Sequence, residues 1–329
     1  MSRSLTHWST TYKRAKKMSK KVWLVNDCLT TIPETKTFWH DLLDWIPGML
    51  DKTGGYTPFD KLARRIEIIY FFSFKKPSLL VRNGSFFRKL NIKTKTIALL
   101  QDIYENDRFQ KEVIESASCL VFNSHYTYSF YKDLVKGPYK IIPLGVDFHH
   151  FKPLSNKQEL KHGLGIKDQT ILYVGSSNTS VKGFNIIEDL IENTDYNFCL
   201  VMKDDYKTDN PRVKVFNKVN HDQLLLIYNA CEVLVCTSYQ ETQHLSGIEA
   251  GACDLRIVAN NIGIYYNRHN ERFGEISDKQ DYKSYALCID KVLENYDWYK
   301  PRDTFLSYSL DKESCKKNWE DLITQTFTQ

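Results

Sequence analysis

Short apolar runs with no polar alternation recur along this chain, and each gives way to a pattern of helical spacing. The first series is "KVWLVN" (21–26), "SLLVRN" (78–83), "TIALLQD" (96–102), "CLVFNS" (119–124) and "YKIIPLG" (139–145). Runs that are apolar throughout suit strands covered on both faces, as in a parallel sheet, whereas one-sided sheets alternate. Between them lie helical patterns such as "TFWHDLLDWI", "ENDRFQKEVIESA" and "HYTYSFYKDLV". This βαβ rhythm predicts a doubly wound α/β domain.

The rhythm breaks once. "PLGVDFHHFKPLSNKQELKHGLGIKD" (143–168) is polar and punctuated by Pro and Gly, as linkers are. It then restarts with the strand patterns "TILYVGSS", "NFCLVMKD", "VKVFNKV", "EVLVCTS" and "LRIVAN", the last expected to be the final strand. The 329 residues suit two domains. The expected division is a basic tail over 1–20, an N-terminal domain over 21–145, a C-terminal domain over 146–300 and a closing helical segment over 301–329. Two such domains in tandem put a cleft between them, and ligands of open parallel sheets sit beyond the carboxyl ends of the strands.

Composition excludes several classes. The net charge of +5 arises from 45 basic against 40 acidic residues, with much of the excess in "YKRAKKMSKK" near the N-terminus. Without that tail the chain is nearly neutral, which makes no case for nucleic acid. The acid-free first 26 residues superficially resemble an organelle transit peptide, but a solvated basic tail is the simpler reading. A weak attraction of this tail to anionic membrane surfaces stays open. Eight scattered cysteines with no CxxC pair, and no apolar run near membrane-spanning length, predict a reduced, soluble, cytoplasmic protein. No His/Cys/Asp cluster has metal-ligand spacing, so neither metal nor cofactor is expected.

Two post-strand segments carry the chemistry. After "ILYVG" come Gly175, Ser176 and Ser177, then Lys182-Gly183 opening a helix. A helix N-terminus offers unpaired N–H groups and partial positive charge, and a lysine adds a full one, so this is a physically sensible phosphate site. After "VLVCTS" comes Glu241, with Glu249 eight positions on, inside a helix expected to start near Ser246. A loop carboxylate can accept hydrogen bonds from sugar hydroxyls, and one on the first turn can hold a ribose diol. Equally, Glu249 could do no more than complement the helix dipole while Glu241 is solvated.

"VGSSNTSVKG", "HDQLLLIYNACEVLVCTSYQET" and "SGIEAGACDLRIVA", together with "YKIIPLGVDFHHFKP", resemble retaining glycosyltransferases of the GT-B fold, family 4, the group 1 type. The resemblance covers roughly residues 139–260. It implies two Rossmann-like doubly wound domains facing each other across a cleft, with a nucleotide sugar (UDP- or GDP-linked) as co-substrate. The acceptor implied is a glycan or a lipid- or protein-linked hydroxyl.

Carried over residue by residue, the resemblance gives Glu241 the donor sugar hydroxyls and Glu249 the ribose. Backbone around Gln243, His244, Leu245 and Ser246 faces the diphosphate, beside Gly175. Lys182 neutralises the departing diphosphate, the electrostatic task that dominates such transfers. Asp102, after the strand "TIALL", becomes an acceptor contact, although a helix N-cap is an equal alternative.

The departures are equally specific. The family's arginine falls on Ser176, with Lys203 a partial substitute, and its "GFG" loop becomes Thr242-Gln243-His244. Glycines are sparse, and the Gly-rich loop after the first strand is missing. Two rivals follow: a sugar-nucleotide epimerase of the same fold, or a non-catalytic carbohydrate- or nucleotide-binding relative.

Overall fold

The computed structural model describes residues 117–327 continuously. Before them it describes the strands Val22–Asn26, Leu50–Asp51, Ser78–Arg82 and Thr96–Leu100, and residues 101, 103, 111, 114 and 115. The basic tail, Asn83-Gly84, Asp102 and the loop after the first strand lie outside the described residues.

The described residues fall into two compact units. One holds those up to Asn123, then Thr127–Ile142 and those from Lys316 on; the other holds Ser124–Tyr126 and Pro143–Cys315. In the first unit the strands are β1 (Val22–Asn26), β2 (Leu50–Asp51), β3 (Ser78–Arg82), β4 (Thr96–Leu100), β5 (Cys119–Phe122) and β6 (Tyr139–Ile141). They lie in the order β2-β1-β3-β4-β5-β6, and every neighbouring pair is parallel. Ala98, Leu100, Leu120 and Phe122 point to one face of this sheet and pack with Ile114 and Tyr131. Tyr131 closes the helix α1 (His125–Tyr131) that follows β5.

The second unit repeats the principle with more residues. Its strands are β7 (Thr170–Gly175), β8 (Asn197–Met202), β9 (Val213–Asn217), β10 (Val233–Cys236), β11 (Arg256–Asn260) and β12 (Gly274–Ser277). All pair in parallel, in the order β12-β11-β10-β7-β8-β9. The expectation that "LRIVAN" is the last strand is corrected by β12, whose "GEIS" pairs residue for residue with Ile257–Asn260. A four-residue run carrying a glycine and a glutamate is too short and too polar to stand out by pattern.

Both faces of this sheet are covered, which is why its strands do not alternate. Leu172, Cys199, Val201, Leu234, Cys236, Ile257 and Ala259 face one side. There they meet Leu224, Ile227 and Tyr228 of α4 (His221–Ala230), Ile248, Ala250 and Ala252 of α5 (Leu245–Ala252), and Phe305 of α7 (Pro301–Ser307). The alternate residues Ile171, Tyr173, Phe198, Leu200, Met202, Val233, Val235 and Val258 face the other side. These pack on α3 (Phe184–Asn193) and α6 (Tyr282–Glu294) through Ile187, Leu190, Tyr285 and Ile289. Helix α2 (Lys157–Leu164) leads into β7, and α8 (Lys312–Phe327) ends the described chain.

No helix among the described residues is long and apolar enough to cross a membrane.

Leu200 has no exposed surface and sits at the centre of the second of these layers. Leu200→Ala should therefore lose about 2–5 kcal/mol of unfolding free energy in denaturant titration, the range for a leucine cavity in a close-packed core. A loss under about 1 kcal/mol would contradict this packing.

Candidate functional site

In the second sheet the strand order turns back at one place. From β7 the chain steps outward to β8 and β9, then returns to pair β10 with β7 and continues to β11 and β12. The loops after β7 and β10 therefore diverge to opposite sides and leave a crevice at the carboxyl ends of the two strands. Those loops hold Gly175–Gly183 and Thr237–His244, so the topology brings together the two segments that carry the candidate residues.

The loops are fastened to each other. Tyr239 N–H donates to the Val181 carbonyl at 2.8 Å, and Thr237 Oγ donates to the Lys182 carbonyl at 3.0 Å. Gly183 sits at φ 62°, and a Cβ there would lie 2.0 Å from the Thr237 carbonyl oxygen. Only glycine allows the β7 loop to press this closely on the β10 loop. The approach delivers Lys182, at the end of a 3₁₀ turn over Ser180–Lys182, to Glu241.

Lys182 Nζ and Glu241 Oε1 form an ion pair, and Ser238 Oγ donates to the same carboxylate oxygen at 3.1 Å. The Glu241 side chain is largely buried, whereas that of Lys182 is 36% exposed. Desolvation pushes the Glu241 carboxyl up, but the His244 and Lys182 charges and the hydrogen bonds from Lys182 and Ser238 outweigh it. Glu241 is therefore held below its ordinary value. At neutral pH the imidazole is uncharged, and Lys182 and Ser238 carry the effect.

Glu249, one turn into α5, behaves in the opposite way. Its Oε2 accepts a hydrogen bond from the buried Tyr228 hydroxyl at 3.0 Å. Desolvation nevertheless pushes its carboxyl up to about 7, against the lowering effect of that hydrogen bond.

Between the two glutamates, Gln243 is buried and its amide clasps the Leu144 backbone in both directions. Nε2 donates to the Leu144 carbonyl at 2.7 Å, and Oε1 accepts from Leu144 N–H at 2.8 Å. The Gln243 side chain thus ties the loop to the Leu144 backbone. His244 is the N-cap residue of α5 and adopts φ 68°, ψ 70°, the left-handed conformation that a glycine would take without strain. No side chain caps α5, and Leu245 at its first position is exposed. The His244 ring is buried, with Nδ1 2.8 Å from the Tyr265 hydroxyl and Nε2 3.2 Å from Ser246 Oγ. Desolvation first, and the charge of Lys182 second, push its pKa to about 4, against Glu241.

The loop after β7 carries no cation at Ser176. Ser176 Oγ accepts from Asn178 N–H at 3.2 Å, and its carbonyl accepts from the Tyr173 hydroxyl at 3.3 Å. Asp204, just after β8, accepts from both the backbone N–H (3.1 Å) and the hydroxyl of Ser177. The hydrogen bond from Ser177 is foremost in holding the Asp204 carboxyl below its ordinary value. Lys203 extends the β7–β8 pairing by donating its N–H to the Gly175 carbonyl at 2.8 Å, and its side chain is exposed.

Gly175, Ser176, Lys182, Lys203, Glu241, Gln243, His244, Leu245, Ser246 and Glu249 thus all lie at the end of β7, on the loops after β7, β8 and β10 or on α5, and contacts join Lys182 to Glu241 and Lys203 to Gly175. Asp102 is outside the described residues. Sequence reasoning missed Tyr228, Ser238 and Tyr265. Tyr228 falls on the core face of α4 and reads there as packing, and nothing in "GIYYN" marks Tyr265. Among the described residues, no group of three or more His, Cys, Asp and Glu is arranged to hold a metal ion.

Residues 156–308 match the family model of glycosyl transferases group 1. That match contains every one of these crevice residues.

The fold is that of GT-B glycosyltransferases. Sucrose-phosphate synthase from Thermosynechococcus elongatus superposes with a TM-score of 0.65 at 17% identity, over 84% of this chain and 82% of that one. The Anabaena protein HepE, in complex with UDP and glucose, also gives 0.65, at 14% identity over 93% and 95% of the two chains. A glycosyltransferase from Rickettsia africae gives 0.65 at 14% identity over 93% and 97%. No curated protein matches the sequence.

The raised carboxyl of Glu249 has a consequence for stability. Its folded value of about 7 exceeds the ordinary 4.5, so the folded state binds the extra proton between those limits. The contribution of this carboxyl to stability falls as pH rises from about 4.5 to about 7 and then levels off, by roughly 2–3 kcal/mol. Glu249→Gln removes this dependence. The stability difference between variant and wild type, from urea titrations at pH 5 and pH 8, should shift by that amount in favour of the variant at pH 8. His244 is present in both proteins and cancels from the comparison. A difference independent of pH would contradict the assignment.

Proposed function

We propose that the protein is a retaining glycosyltransferase of the GT4 type. It moves a sugar from a nucleoside-diphosphate donor to an acceptor hydroxyl with retention of configuration. The observation that carries this reading is the fastening of the β7 and β10 loops, which sets a lysine, a carboxylate and the uncapped start of α5 around one crevice. In it the diphosphate lies against the first turn of α5, where unpaired N–H groups and the helix dipole favour negative charge. Lys182 turns from Glu241 to the diphosphate and neutralises it as it leaves. Glu241, freed from that pair, accepts hydrogen bonds from the sugar hydroxyls, and Glu249 holds the ribose diol.

The acceptor hydroxyl attacks from the face the diphosphate vacates, and a donor phosphate oxygen takes its proton. No protein nucleophile and no bound metal are needed. Residues 146–300 bind the donor, and residues 21–145 read the acceptor, with Asp102 as a contact. The closing segment 301–329 returns toward the N-terminal domain. UDP-sugars are the first donors to try, since HepE is described in complex with UDP and glucose. A glycan, lipid-linked or protein-linked acceptor in the cytoplasm fits, with the basic tail supplying weak contact to an anionic membrane.

One observation favours a non-catalytic, sugar-nucleotide-binding reading. Where the family carries a second cation, this chain has Ser176 and, beside it, the Asp204 carboxylate holding Ser177. These readings and the epimerase separate by incubating the protein with UDP- and GDP-sugars, with and without acceptors, and measuring free nucleotide. Acceptor-dependent release supports transfer, conversion or hydrolysis without acceptor supports an epimerase, and binding without release supports the non-catalytic reading.

Lys182→Ala, Glu241→Ala and Glu249→Ala should each lower turnover or donor affinity, with Lys182→Ala costing on the order of 10²-fold or more in kcat, as for loss of a group that stabilises developing charge. Unchanged values in all three would sink the proposal.

A further inference from the structure

A buried phenol must place its proton on an acceptor. The side chain of Tyr265 has no exposed surface, and its hydroxyl has one hydrogen-bond partner among the described residues, His244 Nδ1 at 2.8 Å. Tyr265 is therefore the donor and Nδ1 the acceptor, since a neutral imidazole has one of each. The imidazole proton then belongs on Nε2, which lies 3.2 Å from Ser246 Oγ. Nε2–H donates to the serine oxygen, and the serine's own proton turns away from the ring. Ser246 is the second residue of α5, so that proton is available at the helix start.

The local sequence is arranged around this chain of contacts. Gly247 leaves the gap through which the phenol reaches the imidazole, because a Cβ there would lie 1.9 Å from the Tyr265 hydroxyl and 2.4 Å from His244 Nδ1. His244 occupies a left-handed backbone position that a glycine would fill at less cost. A histidine in that place is unfavourable locally unless its ring has a task. Burial and the nearby Lys182 charge keep the ring neutral at neutral pH, as the tautomer argument requires.

We propose that Tyr265 and His244 are positioning residues that fix the Ser246 hydroxyl as a hydrogen-bond donor to the diphosphate of the nucleotide sugar. This rests on the glycosyltransferase reading for the identity of the ligand, but not for the direction of the hydrogen bonds. A relay of this kind supplies a directed donor in a loop that lacks the family's flexible glycines.

Two measurements on the full chain test it. In ¹⁵N-histidine NMR of the free protein, the His244 ring, assigned by its loss in His244→Asn, should show a protonated Nε2 and a bare Nδ1. Tyr265→Phe should mix the tautomers. The reverse tautomer in the wild type would overturn the relay.

In calorimetric titration with UDP and GDP, Ser246→Ala should weaken the nucleotide that binds by about 10-fold, the scale of one hydrogen bond to a charged group. Tyr265→Phe should weaken it severalfold, and should add nothing in the Ser246→Ala background. An unchanged Kd in Tyr265→Phe, or additive losses, would overturn the proposal. His244→Gly suits the backbone at this position and serves if Tyr265→Phe fails to fold; it should show the same non-additive loss. Wild-type protein that binds neither nucleotide would overturn the functional reading and the choice of ligand, leaving the tautomer to decide the relay itself.

Discussion

The parallel pairing of β7 with β10 is the contact on which the C-terminal half depends. It joins Ile171 and Leu172 to Val233 and Leu234. It is also where the sheet's strand order reverses, so the helices after the two strands pack on opposite faces. Without that reversal the loops after β7 and β10 would have no crevice between them. Given it, one close backbone approach, Gly183 on Thr237, is enough to bring Lys182 to Glu241. The packing on both faces fixes where the strands end, and the strand ends fix where the charges meet.

The two carboxylates of the crevice are tuned in opposite directions by their surroundings. Glu241 has a lysine and a serine hydroxyl to stabilise its charge, and stays ionised despite burial. Glu249 has only a phenol against the cost of desolvation, and rises to about 7. Paired acids pushed apart in this way mark places where a protein has work for each. In the proposed reaction the first moves between lysine and sugar, and the second gains from accepting hydroxyl protons in place of lost water.

Much of this was legible in the sequence because the signals were physical. Unalternated runs such as "ILYV" and "VLVC" suit strands buried on both faces, and their recurrence with helical patterns between them marked the second α/β domain. The spacing from Glu241 to Glu249 reads as a loop residue and a helix residue, and so they are, but α5 starts at Leu245 and Glu249 lies one turn in rather than on the first turn. "GEIS" was passed over because four residues with a charge and a glycine carry no period. Tyr228 and Tyr265 were invisible for a different reason: a tyrosine on a core face looks like packing until its hydroxyl partner is known. His244 looked like a loss of backbone freedom, yet it holds the glycine-like conformation and brings an imidazole besides.

The central claim is that the crevice at the ends of β7 and β10 receives a nucleoside diphosphate, with Lys182 released from Glu241 as it does so. A crystal structure of the protein with UDP or GDP bound tests this most directly. The account predicts the diphosphate against the first turn of α5, Lys182 Nζ on a phosphate oxygen, and the Ser246 hydroxyl donating to the same group. A nucleotide bound elsewhere, or one bound here with the Lys182–Glu241 pair intact, would contradict it.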